Sequence, residues 1–254
     1  MTATFPEFKS ASVYITGGGN GIGAALSEGF LAQGARVAFV GRSDCTEFCD
    51  AMEEKHGNRP HFMQCDITDI ARLKATMDEA CERHGPITTL INNAANDKRH
   101  STGEITEDFY TWMMDINFKA YVFACQHAAP MMAQAGGGSI INFTSISYMM
   151  GNAGYPLYTS ANSAINGLTR SLAREFGPKR IRVNALAPGW VLTQKQKDMW
   201  VTEEGLAAHM ERQCLPDTLD PVDIVGGVLF LASNLSRAMT GQALVIDGGV
   251  VVTG

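Results

Sequence analysis

The sequence predicts an α/β protein with a doubly wound parallel sheet of about seven strands, in a single domain over residues 1–254. Two observations predict this class. Short runs rich in β-branched residues alternate with longer stretches of helical periodicity. A glycine-rich turn also separates the first such run from the helix that follows it. Repeated strand–helix–strand units require right-handed crossovers, so the strands lie parallel in one sheet with helices on both faces.

Each predicted strand is a short apolar run bounded by turn-forming residues. The first, at 12–16, precedes the glycine-rich turn and a helix that extends to about Gln33, where Gly34 ends it. Later strands are expected at 36–40, 61–65, 89–92, 139–144, 181–185 and 243–246. In such sheets ligands bind at the carboxyl ends of the strands, so candidate functional residues are those that follow each strand.

Composition excludes several classes of partner. A formal net charge of −6 argues against nucleic acid, because phosphate binding needs a basic surface. The six cysteines form no CxxC pair and no Cys/His cluster with metal spacing, so we expect no metal and reduced thiols in a cytoplasmic protein. The N-terminus has no apolar signal core, and no apolar run approaches the ~20 residues of a membrane span, so we expect no membrane partner.

The turn after the first strand has the chemistry of a phosphate-binding loop. Residues 16–23 have the sequence TGGGNGIG and open a helix. Glycines let the backbone turn sharply beside a pyrophosphate, and a helix N-terminus offers N–H groups and a positive dipole to phosphate oxygens. In this strand–turn–helix context the loop predicts a dinucleotide site, with a plain turn as the alternative.

Further motifs occur in order along the chain. They are Asp66 after the third strand, Asn92-Asn93-Ala94 after the fourth, Asn117 in a helix expected at 115–123, Pro188-Gly189 with Thr193, and Asp247-Gly248-Gly249. With the TGxxxGxG spacing of Gly17, Gly21 and Gly23, these motifs resemble the short-chain dehydrogenase/reductase family over nearly the whole chain. The resemblance implies a Rossmann-type fold and an NAD(P)-dependent oxidoreductase that acts on CH–OH groups. One departure is Ala95, which replaces the glycine of the family's NNAG motif.

The resemblance also assigns residues to the cofactor. By position they are Gly17, Gly19, Asn20, Gly21, Ile22, Gly23, Arg42, Ser43, Asp66, Ile67, Asn93, Ala94, Tyr158, Asn162, Pro188, Gly189, Val191 and Thr193.

The end of the second strand bears on the choice between NADP and NAD. An acid usually binds the ribose 2′-OH there in NAD-preferring chains, whereas this chain has Gly41 followed by Arg42. Without a carboxylate a 2′-phosphate is not repelled, and an adjacent guanidinium can pair with it. Ser43 adds a hydroxyl. The sequence therefore favours NADP(H) over NAD(H), with a solvent-facing Arg42 as the alternative.

The catalytic positions follow the fifth strand. Ser145 ends that strand, and Tyr158 lies on a helix expected at 156–176. In the family the serine hydroxyl binds the substrate oxygen, and the tyrosine phenol exchanges the proton as hydride moves to or from nicotinamide C4. The resemblance adds Asn117 as the structural asparagine of the active site. A lone tyrosine on a helix is usually a core residue, so the other motifs carry the assignment of Tyr158.

The family's YxxxK motif ends here in Asn162 instead of lysine. That lysine lowers the tyrosine pKa and bonds the nicotinamide ribose. An asparagine can bond a ribose or a water, but it supplies no charge. Three interpretations remain open: an engineered replacement, a natural variant with weaker or alkaline-shifted activity, or a dinucleotide-binding protein that has lost catalysis.

The loops after strands four, five and six predict the substrate. A polar run at 96–100, SISY at 145–148 and an aromatic residue after Pro188-Gly189 suit a polyhydroxylated ligand. These stretches are similar to the bacterial sugar 1-dehydrogenases, which implies oxidation of an aldose at C1 to the lactone. The candidate contacts are Asn96, Asp97, His100, Ser145, Ser147, Tyr158 and Trp190. A short-chain reductase for a keto acid or ketoacyl substrate is the alternative within the fold.

Two long helices predict assembly. The stretches 108–134 and 157–176 carry more apolar and small residues than one sheet face needs. We expect them to pair across two-fold interfaces of a homotetramer, the arrangement that the resemblance implies.

Overall fold

The computed structural model describes residues 3–252, which build one seven-stranded, fully parallel sheet. The strand order is β3-β2-β1-β4-β5-β6-β7, so the direction of winding reverses between β1 and β4. The strands are β1 (Ser12–Thr16), β2 (Arg36–Gly41), β3 (His61–Gln64), β4 (Thr89–Asn92), β5 (Gly138–Phe143), β6 (Ile181–Pro188) and β7 (Ala243–Ile246). This confirms the predicted fold class.

Helices connect the strands and cover both faces of the sheet. They are α1 (Gly21–Ala32), α2 (Thr46–His56), α3 (Ile70–His84), α4 (Glu107–Met114), α5 (Ala120–Gln134), α6 (Ser147–Met150), α7 (Pro156–Phe176), α8 (Gln194–Met199), α9 (Glu203–Met210) and α10 (Pro221–Ala232). Short 3₁₀ turns lie at Pro6–Phe8, Thr102–Glu104, Gly177–Lys179 and Asn234–Ser236. None of the helices between residues 3 and 252 has the length and apolar character needed to cross a membrane.

The sheet separates two hydrophobic cores. All five residues of β1 are buried, because helices cover both of its faces. Val13 and Ile15 pack into the core that α1 and α10 cover, whereas Tyr14 packs into the core on the opposite face with α3 and α5. This alternation follows from the two-residue period of a strand. It leaves only the strand ends free to present side chains to a ligand.

The predicted strands match the observed ones closely, with differences at five ends, including β2, which continues one residue further to Gly41. β3 ends at Gln64, one residue before its predicted end, and β5 runs one residue earlier than expected, over 138–143. β6 continues to Pro188, three residues beyond the predicted end, because Pro188 still pairs with Ile246 of β7. The extension carries the strand directly into the Pro188-Gly189 turn.

The segment expected as a helix at 115–123 contains an irregularity. Residues Asp115–Lys119 form a π-helical turn between α4 and α5, and the Ala120 amide donates to the Asp115 carbonyl five residues earlier. Such wide turns inside α-helices occur frequently at functional sites. The turn includes Asn117, the predicted structural asparagine.

Gly23 provides a test of the packing between the first turn and α1. A Cβ at residue 23 would overlap the Gly17 carbonyl oxygen, a backbone atom that cannot move aside without shifting the loop. We expect Gly23→Ala to lower the free energy of unfolding by about 1–3 kcal/mol, the usual cost of overpacking. The matched control is Gly226→Ala in α10, where a Cβ meets no atom within 4 Å and helix propensity favours alanine. Urea unfolding measures both variants, and equal stabilities would contradict this packing.

Candidate active site

A cavity of about 1,220 Å³ opens at the carboxyl ends of the strands, across the point where the winding reverses. Its size exceeds the few hundred to ~1,000 Å³ typical of a single small-molecule site, which leaves room for a cofactor and a substrate together. The sequence-predicted residues that line it are Gly17, Gly19, Asn20, Gly21, Ile22, Gly23, Arg42, Ser43, Asp66, Ile67, Asn93, Ala94, Asn96, Asp97, Asn117, Ser145, Ser147, Tyr158, Asn162, Pro188, Gly189, Trp190, Val191 and Thr193.

The glycine loop is fixed from beneath by the end of β4. The Asn93 side chain donates to the carbonyls of Thr16 (3.1 Å) and Gly17 (3.2 Å), and its backbone N–H donates to the Thr16 hydroxyl (2.9 Å). Gly17 has φ +73°, in the left-handed region that glycine tolerates. Asn93 therefore shapes the loop through its amide nitrogen.

The N-terminus of α1 has the features of a phosphate site. Asn20 precedes the helix, and its side chain makes no capping hydrogen bond to the first turn. The first N–H groups of α1 therefore lack a side-chain acceptor. The helix dipole gives this end of the helix a positive potential. These residues fit the pyrophosphate of a dinucleotide.

At the end of β2, a cationic side chain lines the cavity and no carboxylate does. Gly41 ends the strand, Arg42 and Ser43 line the cavity, and the Arg42 carbonyl is held by the Gln64 side-chain amide at 2.7 Å. The nearby Asp44 turns away and accepts from the Thr46 amide (3.0 Å) and hydroxyl (2.7 Å). Arg42 is therefore the charged side chain that the end of β2 presents to the cavity.

Asn117 joins the π-helical turn to the loop after β4. Its Oδ1 accepts from the Asn96 amide at 2.8 Å, while its Nδ2 donates to the carbonyls of Asn96 (3.0 Å) and Met113 (2.9 Å). Both ends of the amide are thus bonded to backbone. Asn117 is a positioning residue that fixes the start of the loop at 96–100.

Ser145 and Tyr158 reach the cavity from different elements. Ser145 follows β5, and the register of β5 with β4 and β6 fixes the position of Ser145 along the sheet. Its Oγ accepts a hydrogen bond from the Ser147 amide at 3.1 Å. Tyr158 lies in the first turn of α7, which begins at Pro156, a favoured first helical residue. The two side chains therefore converge on one region of the cavity from a strand end and a helix face.

The surroundings of Tyr158 disfavour its phenolate. Burial raises the pKa of Tyr158 to about 12, the negative charge of Asp97 adds to the rise, and the polar side chains of Ser145 and Asn162 oppose it in part. This value lies well above pH 7, so the phenol form dominates at neutral pH. The group that would accept a proton is thus almost entirely protonated at neutral pH.

Asn162 is buried and fully accommodated by the fold. Its side-chain amide donates to the Tyr158 carbonyl at 2.8 Å, one turn earlier in α7. Its own carbonyl accepts from the Thr144 hydroxyl (3.2 Å) and the Asn166 side chain (2.9 Å). An uncharged amide is less costly to bury than an ammonium group, so Asn162 occupies this position without adding charge beside Tyr158.

Asp97 connects the loop after β4 to α8. Its Oδ1 lies 3.2 Å from the Lys195 ammonium and its Oδ2 accepts from the Gln196 amide at 2.9 Å. Burial opposes ionisation of Asp97, but the Gln196 hydrogen bond and the Lys195 charge outweigh it and lower the pKa of the carboxyl. Gln196 in turn accepts from Trp190 Nε1 at 2.9 Å. Asp97 therefore holds α8 across the mouth of the cavity.

His100 does not join the other predicted substrate contacts. Its ring is buried outside the cavity, where Nδ1 donates to the Lys98 carbonyl (2.8 Å) and Nε2 accepts from the Leu157 amide (3.2 Å). With both nitrogens engaged on backbone groups, the ring ties the 96–100 loop to the start of α7. The expected substrate contact of His100 is therefore corrected to a structural role.

Several cavity residues were not among the predicted contacts. They are Arg99, Asn152, Tyr155, Gln196, Trp200 and His209. The Arg99 guanidinium lies 3.9 Å from the centre of the Tyr155 ring and 5.4 Å from that of Trp200. The Trp190 and His209 rings meet edge to face at 5.3 Å. In the sequence, the polar run at 96–100 and the aromatic residues at 190 and 200 are the features that could have predicted this part of the cavity wall.

Comparison with known proteins agrees with this geometry. A family model described as enoyl-(acyl carrier protein) reductase matches residues 17–251. A probable galactose dehydrogenase of Rhizobium meliloti (strain 1021) is 44% identical over 98% of both chains. A D-xylose 1-dehydrogenase of Caulobacter vibrioides is 39% identical over 98% of both chains. A blue fluorescent protein from a metagenomic library, solved in complex with NADPH, superposes with a TM-score of 0.86 at 35% identity, covering 95% of this chain and 98% of that one.

The fold and cavity, taken with the family match and the two sugar-dehydrogenase relatives, define a dinucleotide-dependent oxidoreductase that acts on CH–OH groups. The chain belongs to the short-chain dehydrogenase/reductase family, whose members bind NAD or NADP.

Proposed function

We propose that this protein oxidises an aldose at C1 to the corresponding lactone, with residues 1–254 acting as one cofactor-binding and catalytic domain. The observation that carries the proposal is the 44% identity, over 98% of both chains, to a relative named as a galactose dehydrogenase. The xylose 1-dehydrogenase relative supports the same substrate class. The cavity wall adds hydroxyl, amide and indole groups, which suit a polyhydroxylated ligand.

In the proposed reaction NAD(P)⁺, when bound, supplies the hydride acceptor. Ser145 Oγ donates a hydrogen bond to the C1 oxygen and orients it, and the ionised form of Tyr158 accepts the proton of the C1 hydroxyl as the carbonyl forms. Asn117 holds the loop after β4 against the substrate side of the cavity. Asn162 would hold a hydroxyl of the cofactor ribose, and its uncharged side chain leaves the pKa of Tyr158 raised.

We propose NADP as the preferred cofactor and NAD as the alternative. Arg42 lines the cavity at the end of β2, and Asp44 has its carboxylate oxygen engaged with Thr46. A guanidinium there pairs with a 2′-phosphate through charge-assisted hydrogen bonds. The structural relative solved with NADPH supports this choice.

We further propose a homotetramer in which the surfaces of 108–134 and 157–176 pair across two-fold axes. The exposed Tyr110 and the open surface over Gly167 lie on these two stretches. Light scattering at micromolar concentration should give four times the chain mass, and a monomer would contradict the proposal.

Turnover should depend on residue 162 and on pH. Because a nearby cation lowers the pKa of an acid by about 1–3 units, Asn162→Lys should raise the oxidation rate at pH 7 by about ten- to a thousandfold. In the unchanged chain, the rate should rise about tenfold per pH unit through the alkaline range below about 12. The measurement is initial rate against pH for a panel of pentoses and hexoses with NADP⁺ and NAD⁺, with Tyr158→Phe as the inactive control.

The panel separates the proposed function from its rivals. Turnover of keto acids or ketoacyl substrates with NADPH, and of no aldose, would indicate a carbonyl reductase of the same fold. Cofactor binding without turnover at any pH, in both the unchanged chain and Asn162→Lys, would indicate a binding protein. Equal rates for these two forms would show that another group activates Tyr158.

Arg42 should control the choice of cofactor. We expect Arg42→Ala to weaken NADP⁺ binding by about ten- to a hundredfold, the loss of a hydrogen bond to a charged group, and to leave NAD⁺ nearly unchanged. Gly41→Asp, where a Cβ comes no closer than 3.9 Å to Phe62, should also penalise NADP⁺ selectively through repulsion. Arg72→Ala on α3, outside the cavity, is the control. Calorimetric titration gives the affinities, and equal losses for both cofactors would refute the assignment.

A further inference from the structure

The wall of the cavity carries more positive than negative charge, although the whole chain has a formal net charge of −6. Four cationic and two carboxylate side chains line it: Arg42, Arg99, Lys195, Arg212, Asp66 and Asp97. Burial lowers the pKa of His209, so its ring adds no charge to this wall at neutral pH. A positively charged cleft in an acidic protein favours anionic ligands over neutral ones.

Arg99 is a cation on the substrate side of the cavity that has no carboxylate partner. Asp97 lies two residues earlier in the same loop, but it pairs with Lys195 at 3.2 Å and accepts from Gln196. Within residues 3–252, no carboxylate lies within 4 Å of the Arg99 guanidinium, and this group donates to no protein acceptor. Its side chain is exposed and lines the cavity, so its five N–H donors are accessible to a ligand.

Two aromatic rings hold the Arg99 guanidinium in place. Its carbon lies 3.9 Å from the centre of the Tyr155 ring and 5.4 Å from that of Trp200. The faces of aromatic rings attract a guanidinium, but they do not neutralise its charge as a carboxylate would. An arginine that is already held in this way loses less conformational freedom when a ligand binds. The positive charge is therefore positioned by the protein and left without a counter-ion.

The two ring contacts place Arg99 beside the proton-transfer residue. The Tyr155 ring centre is 5.9 Å from that of Tyr158, so one ring separates the guanidinium from Tyr158. A hexose whose C1 hydroxyl lies at Tyr158 can extend its C6 substituent over this span. Tyr155 directly precedes α7 and Trp200 directly follows α8, whereas the pyrophosphate fits the N-terminus of α1. Arg99 therefore belongs to the substrate side of the cavity.

A guanidinium without a counter-ion selects an oxyanion. Its planar fork matches two oxygens of a carboxylate or of a phosphate, and the resulting charge-assisted hydrogen bonds are roughly twice as strong as neutral ones. A sugar hydroxyl also accepts from arginine, but it leaves the positive charge uncompensated. An aldose presents an oxyanion remote from C1 when its terminal carbon is oxidised to a carboxylate or carries a phosphate.

We propose that Arg99 is the specificity residue for an oxyanion on the terminal carbon of the aldose, so that the preferred substrates are uronic acids or aldose phosphates. Ser145 and Tyr158 act on C1 as in the proposed reaction, and the anionic group takes no part in hydride or proton transfer. The inference rests on the proposed function, since it names the substrate class of that same site.

The test compares anionic aldoses with neutral aldoses of the same configuration. D-Galacturonate and D-galactose 6-phosphate are compared with D-galactose, and D-glucuronate and D-glucose 6-phosphate with D-glucose. Calorimetry on the unchanged chain gives the dissociation constants in the presence of NADPH, because the reduced cofactor accepts no hydride and no oxidation accompanies binding. Steady-state rates with NADP⁺ are measured in the Asn162→Lys form, in which we expect faster turnover.

Three variants isolate the guanidinium. Arg99→Met keeps a long side chain against the Tyr155 ring and removes the charge. Arg99→Lys keeps the charge and removes the planar fork. Arg174→Met is the matched control, because Arg174 is an exposed arginine of α7 that lies outside the cavity and has no ion pair within residues 3–252.

The unchanged chain should bind one of the two anionic classes about tenfold or more tightly than the matching neutral sugar, as expected for a hydrogen bond to a charged group. Arg99→Met should reduce this preference by about ten- to a hundredfold, through KM more than kcat, and Arg99→Lys should retain part of it. Added salt should reduce the preference, because it screens exposed charges. Arg174→Met should leave the preference unchanged. The class that is preferred identifies the oxyanion as a carboxylate or a phosphate.

The failures are distinguishable. If aldoses are bound and oxidised but the neutral sugars are bound as tightly as both anionic classes, the role of Arg99 is refuted and the proposed function stands. A preference that Arg99→Met and Arg174→Met preserve alike also refutes it, as does an equal loss for neutral and anionic sugars. If no aldose, neutral or anionic, is bound or oxidised by any form, the proposed function fails and this inference fails with it. Should Arg99→Met not fold, its thermal melt shows this, and Arg99→Lys with the salt series still decides the question.

Discussion

The parallel pairing of β1, β4, β5 and β6 is the constraint on which the rest of the site depends, because it brings four strand ends to one edge. Buried amides fix that edge. The Asn92 side chain donates to Asn142 Oδ1 at 2.9 Å, which joins β4 to β5. Asn142 donates to the Thr169 hydroxyl at 3.1 Å, which joins β5 to α7. Buried amides are costly unless paired, so a slip of one strand or of α7 is disfavoured.

This arrangement explains how residue 162 alters chemistry without altering the fold. α7 is held to β5 by the hydrogen bonds of Asn142 and Thr144, and Asn162 participates through its backbone carbonyl, which any residue supplies. Its side-chain amide finds a partner within α7 itself. Residue 162 therefore affects the fold little, whereas a charge on its side chain would act on Tyr158 beside the burial and the Asp97 charge that already raise its pKa. The Asp97 carboxylate, held by α8, adds to the rise in the pKa of Tyr158 because a nearby negative charge disfavours the phenolate.

The sequence predicted most of the fold and much of the site. Local patterns are enough to place the strands within three residues and the glycine loop at the N-terminus of α1, since both depend on neighbouring residues. The fate of His100 was not predictable, because its ring bonds the Leu157 amide 57 residues away. Asp97 lines the cavity, but the bonds of its oxygens to Lys195 and Gln196, 98 and 99 residues away, were not predictable from the sequence. Unpaired nitrogens such as that of His209 are visible only once the chain is folded.

Tyr158 lies in surroundings that hold it protonated, and its titration measures this property. Tyrosine labelled with ¹³C at Cζ gives one NMR signal per ring, and Tyr158→Phe identifies the signal of Tyr158. This signal should begin to titrate only at strongly alkaline pH, with a midpoint near 12. In Asn162→Lys the midpoint should lie about 1–3 units lower. A midpoint at or below about 10, the ordinary tyrosine value, or one that Asn162→Lys leaves unchanged, would show that these surroundings do not control the ionisation of Tyr158.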